Sequence, residues 1–248
     1  MSGHSKWANI KRKKAKVDAV KGTVFSRLTK EIMAAAKRGG GNPDTNFKLR
    51  LAIDKAKANN LPSTNIERAI RRATGQEAGV NYEETVYEGY GPGGTAVYLD
   101  ILTDNRNRTA GEIRHIFSRH AGSLGETGCV AWMFEPKGRL LVSETSRSEE
   151  DLLDVAIEAG ADDLLREDEN EFVVLTEPEA LDSVRQAFVE RGIHIEEAEL
   201  VRLPKTTVAV PESEAERLLE LLELLEDHDD VQHVYSNADI PEDFYPTE

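Results

Sequence analysis

Apolar residues recur at three- and four-residue spacings through Val20, Val24, Phe25, Leu28, Ile32 and Ala35, which is one face of a helix predicted over Asp18 to Arg38. Gly39, Gly40, Gly41, Asn42 and Pro43 end that helix, because glycine and proline favour turns. A second helix is predicted from about Asp44 to Asn59. Pro62, Ser63 and Thr64 open a third, with Thr64 and Glu67 at capping-box spacing, a stripe of Ile66, Ala69, Ile70 and Ala73, and Gly75 closing it. Residues 18–75 therefore read as a small three-helix domain behind a basic arm.

Beyond a linker at Gln76 to Asn81 the pattern changes to strands alternating with helices. Val86 to Tyr90 reads as an edge strand, Thr95 to Leu102 as a stronger one, and a helix is expected from Thr109, with Glu112 completing a capping box. Val130 to Phe134 and Thr206 to Val210 read as strands, Glu212 to Asp227 as a leucine-rich helix, and Val231 to Ser236 as a last strand. Between Glu135 and Pro204 the order strand, helix, two strands, helix, strand appears again, at Leu140 to Ser143, Glu149 to Ala159, Leu164 to Arg166, Phe172 to Leu175, a helix ending at Gly192, and Ile193 to Leu203. The expectation is an α+β chain with an N-terminal three-helix domain and two ferredoxin-like βαββαβ domains, one inserted in the other. The boundaries are 1–79, 80–135 with 204–240, and 136–203.

Charge changes this picture. Of the 31 Lys/Arg, 18 lie in residues 1–75 against 5 Asp/Glu, while residues 76–248 hold 13 Lys/Arg against 41 Asp/Glu. The overall balance of −15 thus conceals a basic first third that attracts polyanions. The N-terminus lacks the apolar run of a signal peptide and no apolar stretch is long enough to span a bilayer, so a cytoplasmic protein without a membrane partner is expected. The single cysteine, Cys129, excludes an intrachain disulfide framework and a multi-cysteine zinc site.

Candidate chemistry is concentrated in the basic third. Lys6, Lys11, Arg12, Lys13, Lys14 and Lys16 surround Trp7 with no acid before Asp18. Lys21, Arg27, Lys30, Lys37, Arg38, Arg68, Arg71 and Arg72 extend the charge into the helices, and together these residues form the expected nucleic-acid-binding set. Trp7 either stacks on a base or anchors the arm. A secondary phosphate contact is expected at Asn105, Arg106, Asn107, Arg108 and Thr109, at the start of a helix, although turn and capping chemistry alone also demands such residues. Catalysis finds less support. Cys129 shows no partner arrangement, His115 and His120 are five apart and do not share a helix face, and Glu112 with His115 lacks the second copy that a di-iron helix pair requires. A non-enzymatic protein with no catalytic residues, cofactor or metal is expected.

The strings GHSKWANIK at 3–11, KEIMAAAKRGGGNPDTN at 30–46, NIERAIRRATG at 65–75, YEGYGPGGTAVYLDILTDNRNRT at 87–109 and GSLGETGCVAWMF at 122–134 resemble the YebC/PmpR family. The resemblance covers essentially the whole chain. It implies a three-domain cytosolic protein, usually described as a probable transcriptional regulator that binds DNA, with mitochondrial relatives that activate translation of cytochrome c oxidase and bacterial members linked to relief of ribosome stalling. Arg12, Ala121 and Cys129 depart from the family pattern, where His, Gly and Ser are commoner. The expected function is a regulator binding DNA. The alternatives are a translation factor on ribosomal or messenger RNA, and a protein–protein adaptor whose acidic domains meet a basic protein.

Overall fold

The computed structural model describes residues 21–75, 82–143, 147–168 and 171–240. Helices α1 (Lys21–Gly39), α2 (Phe47–Ala58) and α3 (Ser63–Ala73) close on a core that includes Leu28, Ile32, Leu49, Ile53, Leu61 and Ile66. The turn between α1 and α2 is organised by Asn46. Its side-chain oxygen accepts from the Leu49 N–H (3.1 Å) and caps α2, while its amide donates to the carbonyls of Ala35 and Gly40 (both 2.8 Å). A Cβ on Gly39 would lie 2.7 Å from that amide nitrogen, so the approach requires glycine. The expected capping box of Thr64 and Glu67 is not formed. Pro62 opens α3 with no side-chain cap, its φ of −58° already suits a helix start, and Glu67 instead faces Arg71 at 4.0 Å.

The chain continues through β1 (Glu83–Tyr90), β2 (Ala96–Thr103), α4 (Arg106–Arg119), β3 (Ser123–Leu124), β4 (Phe134–Ser143), α5 (Glu149–Ala159), β5 (Asp163–Asp168), β6 (Glu171–Thr176), α6 (Leu181–Glu190) and β7 (Ile195–Pro204). It ends with β8 (Val208–Ala209), α7 (Glu212–Asp227), β9 (Val231–Ser236) and β10 (Ala238–Asp239). Two compact units result, Met1–Glu135 with Leu203–Glu248, and Pro136–Arg202. In the second unit the order β5-β6-β4-β7 is that of a βαββαβ ferredoxin-like sheet.

The mixed α+β architecture is as expected, but the outer sheet is assembled differently. Its order is β3-β1-β2-β9 with antiparallel neighbours, and β8 pairs with β10 in a separate parallel pair. The position expected for Thr206 to Val210 is taken by β1, which pairs with β2 over eight residues from Glu83↔Thr103 to Tyr90↔Ala96. A hairpin between chain neighbours closes at little entropic cost, whereas the segment before Pro211 offers two ladder residues. The helix after β2 begins at Arg106, not Thr109, because Asn105 caps it by accepting from the Arg108 N–H (3.1 Å). The strand expected at Val130 to Phe134 begins only at Phe134. The Val130 and Ala131 amides are held by the buried Glu88 carboxylate at 2.8 and 2.7 Å and do not enter a ladder.

Candidate nucleic-acid interface

The sequence-derived cations divide into three groups. Lys6, Trp7, Lys11, Arg12, Lys13, Lys14 and Lys16 lie outside the described residues, as does the side chain of Lys21. A second group turns inward. Lys30 is 9% exposed, and its Nζ donates to Asp230 Oδ1 and to the Asp229 carbonyl, both at 2.9 Å, with the Tyr82 ring 5.5 Å away. Arg27 donates to the His228 carbonyl at 3.3 Å, and burial pulls its pKa down against the opposing charges of Glu226, Asp227 and Asp229. These two residues fasten α1 to the segment after α7 and are not presented to a polyanion. The third group faces outward: Lys37, Arg38, Arg68, Arg71 and Arg72 are exposed, with Arg38 paired to Glu84 and Arg71 near Glu67. Arg68, Arg71 and Arg72, at i, i+3 and i+4, share one face of α3.

Among the residues expected to make a secondary phosphate contact, Asn105 to Thr109, the side chains of Asn105, Arg108 and Thr109 are engaged within the protein. The side-chain oxygen of Asn105 is spent on the α4 cap, and Thr109 is buried, its hydroxyl 2.8 Å from Asp230 Oδ2. Arg108 reaches Asp230 at 2.6 Å, Asp104 at 3.0 Å and Glu112 at 3.9 Å, while Arg106 and Asn107 are exposed. The cleft beside them is lined by Lys30, Arg108, Asp104, Glu112, Asp227, Asp229 and Asp230 among others, so carboxylates outnumber cations and phosphate is repelled.

Asp230 is the hub. It is 3% exposed and joined to Lys30, Arg108, Thr103 and Thr109. Burial alone raises its pKa, but the hydrogen bonds from Lys30, Arg108 and Thr109, with the Lys30 charge, outweigh that and hold it well below the usual carboxylate range. Glu112, His228 and Asp230 bring potential ligand atoms within 4.8 Å of one another. Those atoms are already engaged: His228 Nδ1 accepts the Asp230 N–H, which leaves the proton on Nε2 facing Glu112 at 3.0 Å. Sequence reasoning missed this hub, and its only local sign was the acidic run at Asp227, Asp229 and Asp230.

Cys129 does not form an activated nucleophile. Burial and the neighbouring Glu88 charge push its thiol pKa up, so it stays protonated at neutral pH. Among the described residues no helix is long and apolar enough to cross a membrane.

A basic three-helix domain fastened to an acidic α/β domain that is interrupted by a second α/β unit defines the class of protein. The chain belongs to the TACO1/YebC family: residues 5–76 match the TACO1/YebC protein N-terminal domain and residues 82–238 the TACO1/YebC second and third domain. It is 55% identical over 240 residues, 96% of this chain and 95% of the relative, to a probable transcriptional regulatory protein of Desulfitobacterium hafniense. A protein of the same name from Dictyoglomus turgidum is 54% identical over 244 residues, covering 98% of both chains. The crystal structure of a conserved hypothetical protein from Aquifex aeolicus superposes with a TM-score of 0.85 at 45% identity, over 94% of this chain and 96% of that one.

Proposed function

We propose that this protein is a non-enzymatic regulator that works in the cytoplasm by binding nucleic acid, with DNA in transcriptional control as its target. The observation that carries the reading is the exposed face of Arg68, Arg71 and Arg72 on α3, in a region of 18 Lys/Arg against 5 Asp/Glu. The names of the relatives point the same way. Lysines and arginines that contact phosphate contribute affinity without reading bases, whereas three arginines fixed on one helix face add direction. The acidic remainder of the chain limits non-specific binding.

The test is a titration at several salt concentrations against matched duplex DNA and structured RNA. Each phosphate contact contributes a log–log salt slope of about −0.9 on duplex DNA and about −0.7 on single strands. Changing Arg68, Arg71 and Arg72 together to Gln is expected to weaken binding and flatten the slope, as is changing Lys11, Arg12, Lys13 and Lys14 to Gln. Unchanged affinity and slope in both variants would overturn the reading. A clear preference of the native protein for RNA would transfer it from transcription to translation.

A further inference from the structure

Glu88 is a buried carboxylate that the nucleic-acid reading does not use. It is 3% exposed, and it holds the loop before β4: Oε1 accepts from the Gly128 N–H (2.6 Å), and Oε2 from those of Val130 (2.8 Å) and Ala131 (2.7 Å). Its backbone carbonyl takes the Gly125 N–H at 2.7 Å, and Gly128 sits at φ +91°, which glycine alone adopts readily. A carboxylate committed to three loop amides, with its own backbone carbonyl on a fourth, fixes that loop firmly. Trp132, next to that loop, and Tyr90, at the end of β1, present two aromatic rings. Tyr90 Oη and Trp132 Nε1 both donate to the Cys129 carbonyl at 3.1 Å, so the two polar tips meet at one acceptor while the rings face solvent. Trp132 is 65% exposed and Tyr90 36%.

We propose that Tyr90 and Trp132 form a preorganised docking corner for an arginine-bearing segment of a basic protein. Charge selects this occupant over nucleic acid. From Ala121 to Pro136 the chain carries Glu126 and Glu135 and neither Lys nor Arg, and residues 82–135 with 203–240 hold 6 Lys/Arg against 18 Asp/Glu. Lys205, whose amide donates to the Met133 carbonyl, is the basic residue tied to the same loop and does not reverse that balance. The face of an indole attracts guanidinium, the more strongly the better both are shielded from water. Trp, Tyr and Arg are also the residues on which protein interfaces concentrate their binding energy. Because Glu88 already pays the ordering cost of the loop, binding need not. The proposal goes beyond the nucleic-acid reading and stands without it.

The experiment uses the full chain with Trp7→Phe, which leaves Trp132 as its only tryptophan. The probes are a short peptide alternating Arg with Ser, the same peptide with Glu for Arg, and a uridine oligonucleotide. The expected result is a saturable change in Trp132 fluorescence with the Arg peptide alone. In the same chain with Trp132→Ala, affinity for a dye-labelled Arg peptide is expected to fall about tenfold, with the circular dichroism spectrum unchanged. Trp132→Phe keeps a π face and should retain most of the affinity, whereas Trp132→Leu keeps apolar area but no π face and should lose it. Equal affinity of the Phe and Leu variants, or a Trp132 response to the oligonucleotide and not to the Arg peptide, would overturn the proposal.

Discussion

At Asp230, one carboxylate does the work of a fastener, and the sign of its pKa shift says when. A depressed carboxylate stabilises the fold fully above its unfolded pKa of about 3.9, and that stabilisation is lost as pH falls towards the lower folded value. Asp230→Asn keeps the shape but leaves the Lys30 ammonium buried without its counter-charge, which is expected to cost about 3 kcal/mol or more at pH 7. At pH 3 the gap between native and variant should be about 1 kcal/mol smaller. Urea unfolding at both pH values checks this, and a gap that stays constant would show that the ionisation of Asp230 does not contribute to stability. Lys30 counted from sequence as a surface cation because it sits among other lysines and arginines. Nothing local marks it as the partner of a residue 200 positions away.

Among the elements, the α1–α2 corner shows how a residue good for one helix end is constrained by its neighbour. In isolation Asp and Asn are equivalent caps. Here Asn46 also donates to two carbonyls of α1 and its C-terminal turn, so Asn46→Asp would set an anionic oxygen against the Ala35 and Gly40 carbonyls. Asn46→Ala is expected to cost about 2 kcal/mol, one cap plus the two hydrogen bonds to α1 and its turn, and Asn46→Asp to be destabilising too despite its cap propensity. Thermal unfolding of the two variants tests this, and an Asp variant as stable as the native protein would refute it. The positions of α1, α2 and α3 were legible from their apolar stripes. Capping was less so, since Thr64 with Glu67 and Thr109 with Glu112 both match the box spacing while the helices begin earlier, at Ser63 and Arg106. Thr109 is drawn into the Asp230 network instead of capping anything.

For the whole molecule, the unit Pro136–Arg202 carries its own four-stranded sheet and buried residues Leu140, Val142, Leu152, Val174, Leu181 and Phe188. Residues 136–203 expressed alone are therefore expected to unfold cooperatively and give dispersed amide resonances. A collapsed fragment without dispersion would mean that its core depends on the rest of the chain.

The sequence by itself determined the helical N-terminal domain, the strand and helix order of the inserted unit and the division of charge, because each is written in local periodicity or in counts along the chain. Tertiary structure alone decided that β1 and not β8 completes the outer sheet, that Arg27 and Lys30 face inward while Arg68, Arg71 and Arg72 face out, and that Arg108 serves Asp230. It likewise decided that Glu88 locks the loop before Trp132 some forty residues on. The physical reason is the same throughout. A buried polar group must find a partner wherever packing brings one, and such partners stand anywhere from 40 to 200 residues away, beyond the reach of any pattern read along the chain.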